Sequence, residues 1–450
     1  MSANIYQDHL TTRKAQEKTA TELLVALNNL AENDNSVTFF GERVAFNVAK
    51  VLAQHTQQNI DINASLALAQ ALATKGLRDV SFDLGQAIKN GKTADDFNNG
   101  EAVPTTDVVL YGFGRIGRIL ARLLMSRPAS DKGLQLKAIV VRPAGDGDLE
   151  KRASLLERDS VHGWFDGSVV ADKENSGIIA NGRFIKVIYA SDPSEIDYTA
   201  YGIDNALVID NTGKWKDEAG LGKHLQSKGA KKVLLTAPAS GDIKNIVYNV
   251  NCDTIGTDTI VSAASCTTNA ITPTLKLLND KFGIENGHME TIHAFTNDQN
   301  LVDNHHKAER RGRAATLNMV MTSTGAAKAV SKAIPELKGK LSGSSVRVPT
   351  PNVSLAILNL NFKNPVGSVE ELNAFIKQAT ETEQWQEQIA YSDSDEAVST
   401  DFVGCEKVAI WDAKSTLATD NRATMYLWYD NEMGYSTQVI RVAEKMAKNG

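Results

Sequence analysis

The 450-residue chain has only three cysteines, Cys252, Cys266 and Cys405. They are odd in number and far apart, which excludes a disulfide framework and fits a reducing, cytoplasmic setting. No apolar run approaches the roughly 18 residues that mark a membrane span, so no membrane association is expected. The opening MSANIYQDHLTTRKAQEK is polar where a signal peptide needs an apolar stretch. Positive charge is not in excess either. Lys and Arg number 48 against 54 Asp and Glu, a net charge of -6, which speaks against a general nucleic-acid binder. No repeat, low-complexity tract or metal-ligand spacing is present, so no metal is expected. The length instead serves two or three globular domains.

Residues 1–103 lack strand-like alternation and have little Gly or Pro. Leu23, Leu27 and Leu30 recur at helical spacing, as do Phe40, Val44, Val48, Val51 and Leu52. A third helix is expected after Asn63 as cap, ending at Lys75-Gly76. This small all-α domain closes in a linker-like stretch, KTADDFNNGEAVPTT. From residue 104 the texture changes to alternating strands and helices. LQLKAIVV, ALVIDNTG and KVLLTAP are apolar strands ending in turn residues, which predicts a parallel sheet covered on both faces. That Rossmann-type domain covers 104–264, and the amphipathic helix in 434–450 packs back onto it. Between them, 265–433 reads as a mixed α+β catalytic domain of longer strands. The fold class is therefore α/β.

Gly112-Phe113-Gly114-Arg115-Ile116-Gly117 lies between a strand and a helix, the context that a dinucleotide fingerprint requires. Gly112 permits the tight turn, Gly114 the approach of a pyrophosphate, and Gly117 close packing of helix on strand. The second strand ends Val141-Arg142-Pro143. A basic side chain there pairs with a 2′-phosphate, so Arg142 argues for NADP or for both cofactors, while Asp146 or Asp148 could still reach a ribose hydroxyl.

The stretch AASCTTNAITPT places Cys266 among small and polar residues just ahead of a helix. Unpaired N–H groups at a helix start favour a thiolate. A thiol that forms a thioester needs a base. His293, 27 residues downstream in METIHAFT, supplies an imidazole on a strand face shared with Thr291 and Phe295.

These residues carry a resemblance. GFGRIGR, SCTTN, STGAAKAV, VRVPTPNVS and WYDNEMGYS occur in that order, and from about residue 105 onward the chain resembles the phosphorylating glyceraldehyde-3-phosphate dehydrogenases. The resemblance implies Cys266 as nucleophile and His293 as its activator. Arg115 and Ile116 would lie along the cofactor, and Asn431 would hold the nicotinamide carboxamide. Thr296, Arg310 and Arg347 would bind the substrate phosphate. Ser265, Thr267, Thr324 and Gly325 would form the inorganic-phosphate site. Helix capping is the common alternative use of such hydroxyls and is compatible with anion binding. The implied partners are glyceraldehyde 3-phosphate, inorganic phosphate and further copies of the chain, as a homotetramer.

Departures from the family pattern matter. HAFTNDQ resembles the NADP-dependent, gluconeogenic branch and also the erythrose-4-phosphate-using relatives. Glu309-Arg310-Arg311-Gly312-Arg313 offers three arginines, of which order along the chain selects Arg310, with Arg313 as a substitute. Residues 1–103 are foreign to the compact members. Erythrose-4-phosphate dehydrogenase is the nearest rival activity. A redox-sensing or RNA-binding protein on the same scaffold is the rival class, weakened by the intact cysteine, histidine and anion-site set.

Overall fold

The computed structural model describes residues 2–44, 46–102, 104–127 and 132–448. The chain forms two compact units. One comprises Met1–Thr105 with Arg127–Gly133, and the other Thr106–Ser126 with Leu134–Gly450.

The first unit is built on the helix Ser2–Glu32, whose Leu23, Leu27 and Leu30 are buried with Leu68, Ala69 and Leu72 of the helix Ile62–Lys75. Asp61, not Asn63, caps that second helix, its carboxylate accepting from the Asn63 N–H at 3.0 Å. Gly76 closes it at φ +71°. Phe40 and Val44 do not lie on a helix. Three short strands, Ser36–Phe39, Glu42–Arg43 and Ser81–Asp83, form a small sheet, and the intervening helix spans only Val48–Gln57. The cause is the Phe40-Gly41 turn, both residues at positive φ. Asp83 holds it by accepting from Thr38 Oγ1 at 3.0 Å and from Gly41 N at 2.7 Å. Lys132, from the second segment of this unit, lies between Asp34 and Asp79 at 2.9 and 2.8 Å.

In the second unit, Ala206–Asp210, Ala230–Leu235 and Ile260–Ser262 run parallel in turn beside Thr105–Tyr111. Gly133–Val141 and Arg183–Tyr189, also parallel to each other, extend the sheet on the other side. The antiparallel pair Gly177–Ala180 and Val169–Asp172 ends it. Val439, Ile440, Val442 and Met446 of the final helix, Met433–Lys448, join the same core as Leu110, Leu120 and Ile139. A second, mixed sheet centres on Ile284–Ala294, parallel to Leu341–Val348 and antiparallel to Ser354–Phe362. Its core includes Leu275, Leu278, Met289, Leu358 and Trp411. Among the described residues no helix is long and apolar enough to cross a membrane.

Asn35 is the polar knot of the first unit. Its amide donates to Leu30 O at 2.9 Å and to Leu77 O at 2.7 Å, while its oxygen accepts from Val80 N at 3.1 Å. Asn35→Ala leaves Leu77 O and Val80 N without that partner, while Leu30 O keeps its backbone donors, and should destabilise this unit by about 2–4 kcal/mol. A denaturant melt followed by hydrogen exchange should show early opening of Leu77 and Val80 amides. Unchanged protection there would refute the assignment.

Candidate active site

Cys266 is the first residue of the helix Cys266–Phe282. Ser265 caps it, its Oγ accepting from Thr268 N at 3.0 Å. The preceding Ala264 is buried and held at φ +55°, a left-handed conformation that costs a non-glycine residue about 1–3 kcal/mol. Its carbonyl accepts from Tyr435 Oη at 3.0 Å and its N–H donates to Ser262 Oγ at 2.9 Å. Asn269 Nδ2 braces the same turn through Ala263 O and Ser265 O at 2.8 and 3.0 Å. The thiol thus emerges from a rigid turn, half-buried and packed against the cores of both sheets.

Cys266 Sγ lies 3.5 Å from His293 Nε2. His293 is the penultimate residue of the strand Ile284–Ala294, and its Nδ1 donates to Ala294 O at 2.7 Å. That bond leaves Nε2 as the acceptor facing sulfur. Parallel pairing sets Arg347 opposite His293, and its Nη1 donates to Ala294 O at 2.9 Å and Thr296 Oγ1 at 3.1 Å. Burial, with Arg347 nearby, pushes the His293 imidazole down to about 3. Burial raises the Cys266 thiol, and the Arg347 cation pulls the other way. Both shifts favour the uncharged forms.

Ser265 and Thr267 flank the thiol in the chain, and Arg347, which is 3.1 Å from His293 Nδ1, ties Thr296 to the imidazole. Arg310 is exposed on the turn Glu309–Gly312 and does not face the site. Successive side chains fan apart in a tight helical turn, and it is Arg311 that points inward. Arg311 pairs with Asp298 and donates through Nη2 to Thr322 Oγ1 at 3.0 Å. Asp298 also accepts from Thr296. Arg313 is exposed and paired with Asp303 at 2.9 Å. Thr267 Oγ1 is 3.1 Å from Tyr429 Oη. Thr324 Oγ1 accepts from Ala326 N at 3.2 Å, and Gly325 caps the helix Ala326–Ala333. In sequence, Asp298 and Arg311 are marked only as polar neighbours of expected residues, in TNDQ and ERRGR.

On the nucleotide side, a Cβ on Gly117 would come within 2.4 Å of Gly112 O, whereas a Cβ on Gly114 would meet nothing within 4 Å. The open side of Gly114 faces a helix start, Arg115–Met125, that no side chain caps. These features fit a dinucleotide pyrophosphate. Ile116 is half-buried against the sheet core. Arg115 is committed elsewhere: two carboxylates, Asp159 and Glu432, grip its guanidinium. Asn431 is buried and accepts at Oδ1 from Ser354 Oγ at 2.9 Å, and Ser354 Oγ in turn accepts from Ala294 N at 3.0 Å. Arg142 is exposed at its strand end. Asp148 is tied to Arg152 at 2.7 Å, and Arg152 Nη2 also donates to Arg142 O at 3.0 Å.

A glycine-turn Rossmann domain joined to a mixed sheet that presents a thiol, an imidazole and arginines defines a dinucleotide-dependent oxidoreductase. Residues 106–218 match the family described as glyceraldehyde 3-phosphate dehydrogenase, NAD binding domain, and residues 265–431 the corresponding C-terminal domain. The chain belongs to the glyceraldehyde-3-phosphate dehydrogenase family. A glyceraldehyde-3-phosphate dehydrogenase-like protein of Pseudomonas aeruginosa (strain UCBPP-PA14) is 49% identical, over 94% of this chain and 98% of its own. Glyceraldehyde-3-phosphate dehydrogenase of Clostridium pasteurianum is 41% identical over 76% of this chain and 99% of its own. Glyceraldehyde-3-phosphate dehydrogenase 1 of Bacillus subtilis (strain 168) is also 41% identical, over 76% and 98%.

Arg347 is the main charged group acting on the thiol, and a cation favours the thiolate whereas burial opposes it. Arg347→Ala removes the largest of the effects that oppose burial and leaves the hydrogen bonds from Thr267 and the backbone, so the thiol should titrate at higher pH. The rate of Cys266 alkylation by iodoacetamide, followed against pH, should shift its midpoint upward. An unmoved midpoint would show that Arg347 does not act on the sulfur.

Proposed function

We propose that the protein oxidises glyceraldehyde 3-phosphate with inorganic phosphate to 1,3-bisphosphoglycerate, reducing NADP or NAD. The observation that carries this reading is the 3.5 Å approach of Cys266 Sγ to His293 Nε2, beside two arginines, Arg347 and Arg311. Cys266 Sγ adds to the aldehyde carbon, and its proton passes to Nε2. The Cys266 backbone N–H and His293 stabilise the oxyanion. A bound nicotinamide, its carboxamide held by Asn431, would supply the hydride acceptor for that carbon, and Cys266 would then carry a thioester. A phosphate oxygen then attacks the thioester carbon, the C–S bond breaks, and the acyl phosphate departs.

Thr296 and Arg347 hold the substrate phosphate in this reading, and Ser265, Thr267, Thr324 and Gly325 the inorganic one. Arg311 supplies the second guanidinium in place of Arg310. Asn431 holds the carboxamide. Exposed Arg142 receives a 2′-phosphate, and the Asp148–Arg152 pair keeps that carboxylate off the ribose, so NADP is supported beside NAD. A homotetramer accords with the exposed apolar side chains of Leu301, Val302, Leu317, Met319 and Met321, and a cytoplasmic setting with the three scattered cysteines.

Initial rates with each cofactor, with and without phosphate, and with erythrose 4-phosphate as competing aldehyde, test the reading. A higher kcat/KM for erythrose 4-phosphate would move the assignment to that substrate. Cys266→Ser should abolish oxidation while cofactor binding persists. Arg311→Ala removes a charge-assisted contact and should cost about ten- to a hundredfold in kcat/KM, while Arg310→Ala should change it little. The reverse order would restore Arg310. Arg142→Asp should lower NADP affinity through charge repulsion, and an unchanged cofactor ratio would place Arg142 outside the site.

A further inference from the structure

Arg115 opens the glycine-loop helix, yet its guanidinium is not free for a phosphate. Nε and Nη2 reach both oxygens of Glu432 at 2.5 Å, while Nη1 and Nη2 reach Asp159 at 2.8 and 3.1 Å. Arg118 lies 3.5 Å from the same Asp159 carboxylate. His162 Nε2 donates to Glu432 at 2.9 Å, and its Nδ1 is buried without a hydrogen-bond partner. Two carboxylates already face the two arginines there, so Arg115 brings no uncompensated charge to a pyrophosphate.

Its placement explains it better. Glu432 directly follows Asn431 and directly precedes the helix Met433–Lys448. Asp430 caps that helix start, its Oδ1 accepting from Glu432 N and Met433 N at 2.9 and 2.8 Å. The forked Arg115–Glu432 contact therefore bolts the starts of two helices together. One start carries the turn for the pyrophosphate and the other the residue for the nicotinamide.

We infer that Glu432 is a positioning residue: through Arg115 it fixes the distance between the glycine loop and Asn431, and so matches the site to the span of a nicotinamide dinucleotide. Asp159 holds Arg115 from the opposite side, and His162 holds Glu432. This rests on the reading of Asn431 as the carboxamide holder.

Binding of two ligands to the full-length protein separates the possibilities. The reduced cofactor spans both ends, whereas ADP-ribose (or its 2′-phosphate when NADPH is used) lacks the nicotinamide. Glu432→Gln is nearly isosteric and should weaken reduced-cofactor binding by about tenfold, the worth of one charge-assisted bond, with a much smaller loss for ADP-ribose. Glu432→Asp, which keeps the charge on a shorter arm, should recover part of the loss. If Glu432→Gln does not fold, Arg115→Lys carries the same comparison, since it keeps the charge and loses the fork. Equal losses for both ligands, or none, would overturn the inference provided that Asn431→Ala separates them. If Asn431→Ala fails to separate them, the carboxamide reading falls and the inference falls with it.

Discussion

The site depends on the turn that delivers Cys266. Ala264 occupies a backbone conformation that alanine avoids, and it is held there by partners from three directions. Ser262 comes from the first sheet and Tyr435 from the last helix of the chain, while Asn269, from the helix that Cys266 opens, holds the carbonyls on either side of Ala264. Strain of this kind persists only where the surroundings over-determine it. The result is a thiol fixed at the meeting of two cores, rather than on a loop free to adjust. The last helix thus has two duties: it completes the core of the first sheet, and its Tyr435 hydroxyl locks the carbonyl two residues ahead of the sulfur.

Fixing the sulfur makes strand register the next requirement. His293 and Arg347 are far apart in sequence but adjacent across parallel strands. A slip of one residue in either strand would turn its side chain to the opposite face and part the two. Ala294 prevents that locally, since its carbonyl accepts from the histidine ring and from Arg347, and its N–H donates to Ser354. Ser354 passes the constraint on to Asn431. One short backbone segment therefore sets the imidazole, the guanidinium and the amide together.

Much of this was legible because local chemistry dictated it. Gly112 and Gly117 announce a turn and a close helix contact that the backbone confirms atom by atom. The Leu23, Leu27 and Leu30 stripe announces its buried face. What escaped were features set by distant partners. Phe40 and Val44 fit a helical period, but Asp83, more than forty residues on, holds the chain in a hairpin turn there. Three arginines in ERRGR are equivalent as text. Only the turn in which they fold, with Asp298 and Thr322 waiting on one side, singles out Arg311. The carboxylates around Arg115 were invisible for the same reason, since Asp159 and Glu432 come from opposite ends of the fold.

The extension poses a different kind of constraint. The Clostridium and Bacillus relatives are covered almost completely by about three quarters of this chain, while the Pseudomonas protein aligns over 94% of it. The added unit is thus shared with that relative and not an accident of one sequence. It is also discontinuous, because Arg127–Gly133, from between a helix and a strand of the Rossmann domain, belongs to it. Lys132 in that segment is held by Asp34 and Asp79. Cutting the chain ahead of Thr106 would therefore not excise a bead from a string. It would remove both carboxylates from Lys132 while the remaining protein keeps that lysine, so the first unit draws on sequence from both sides of Thr106.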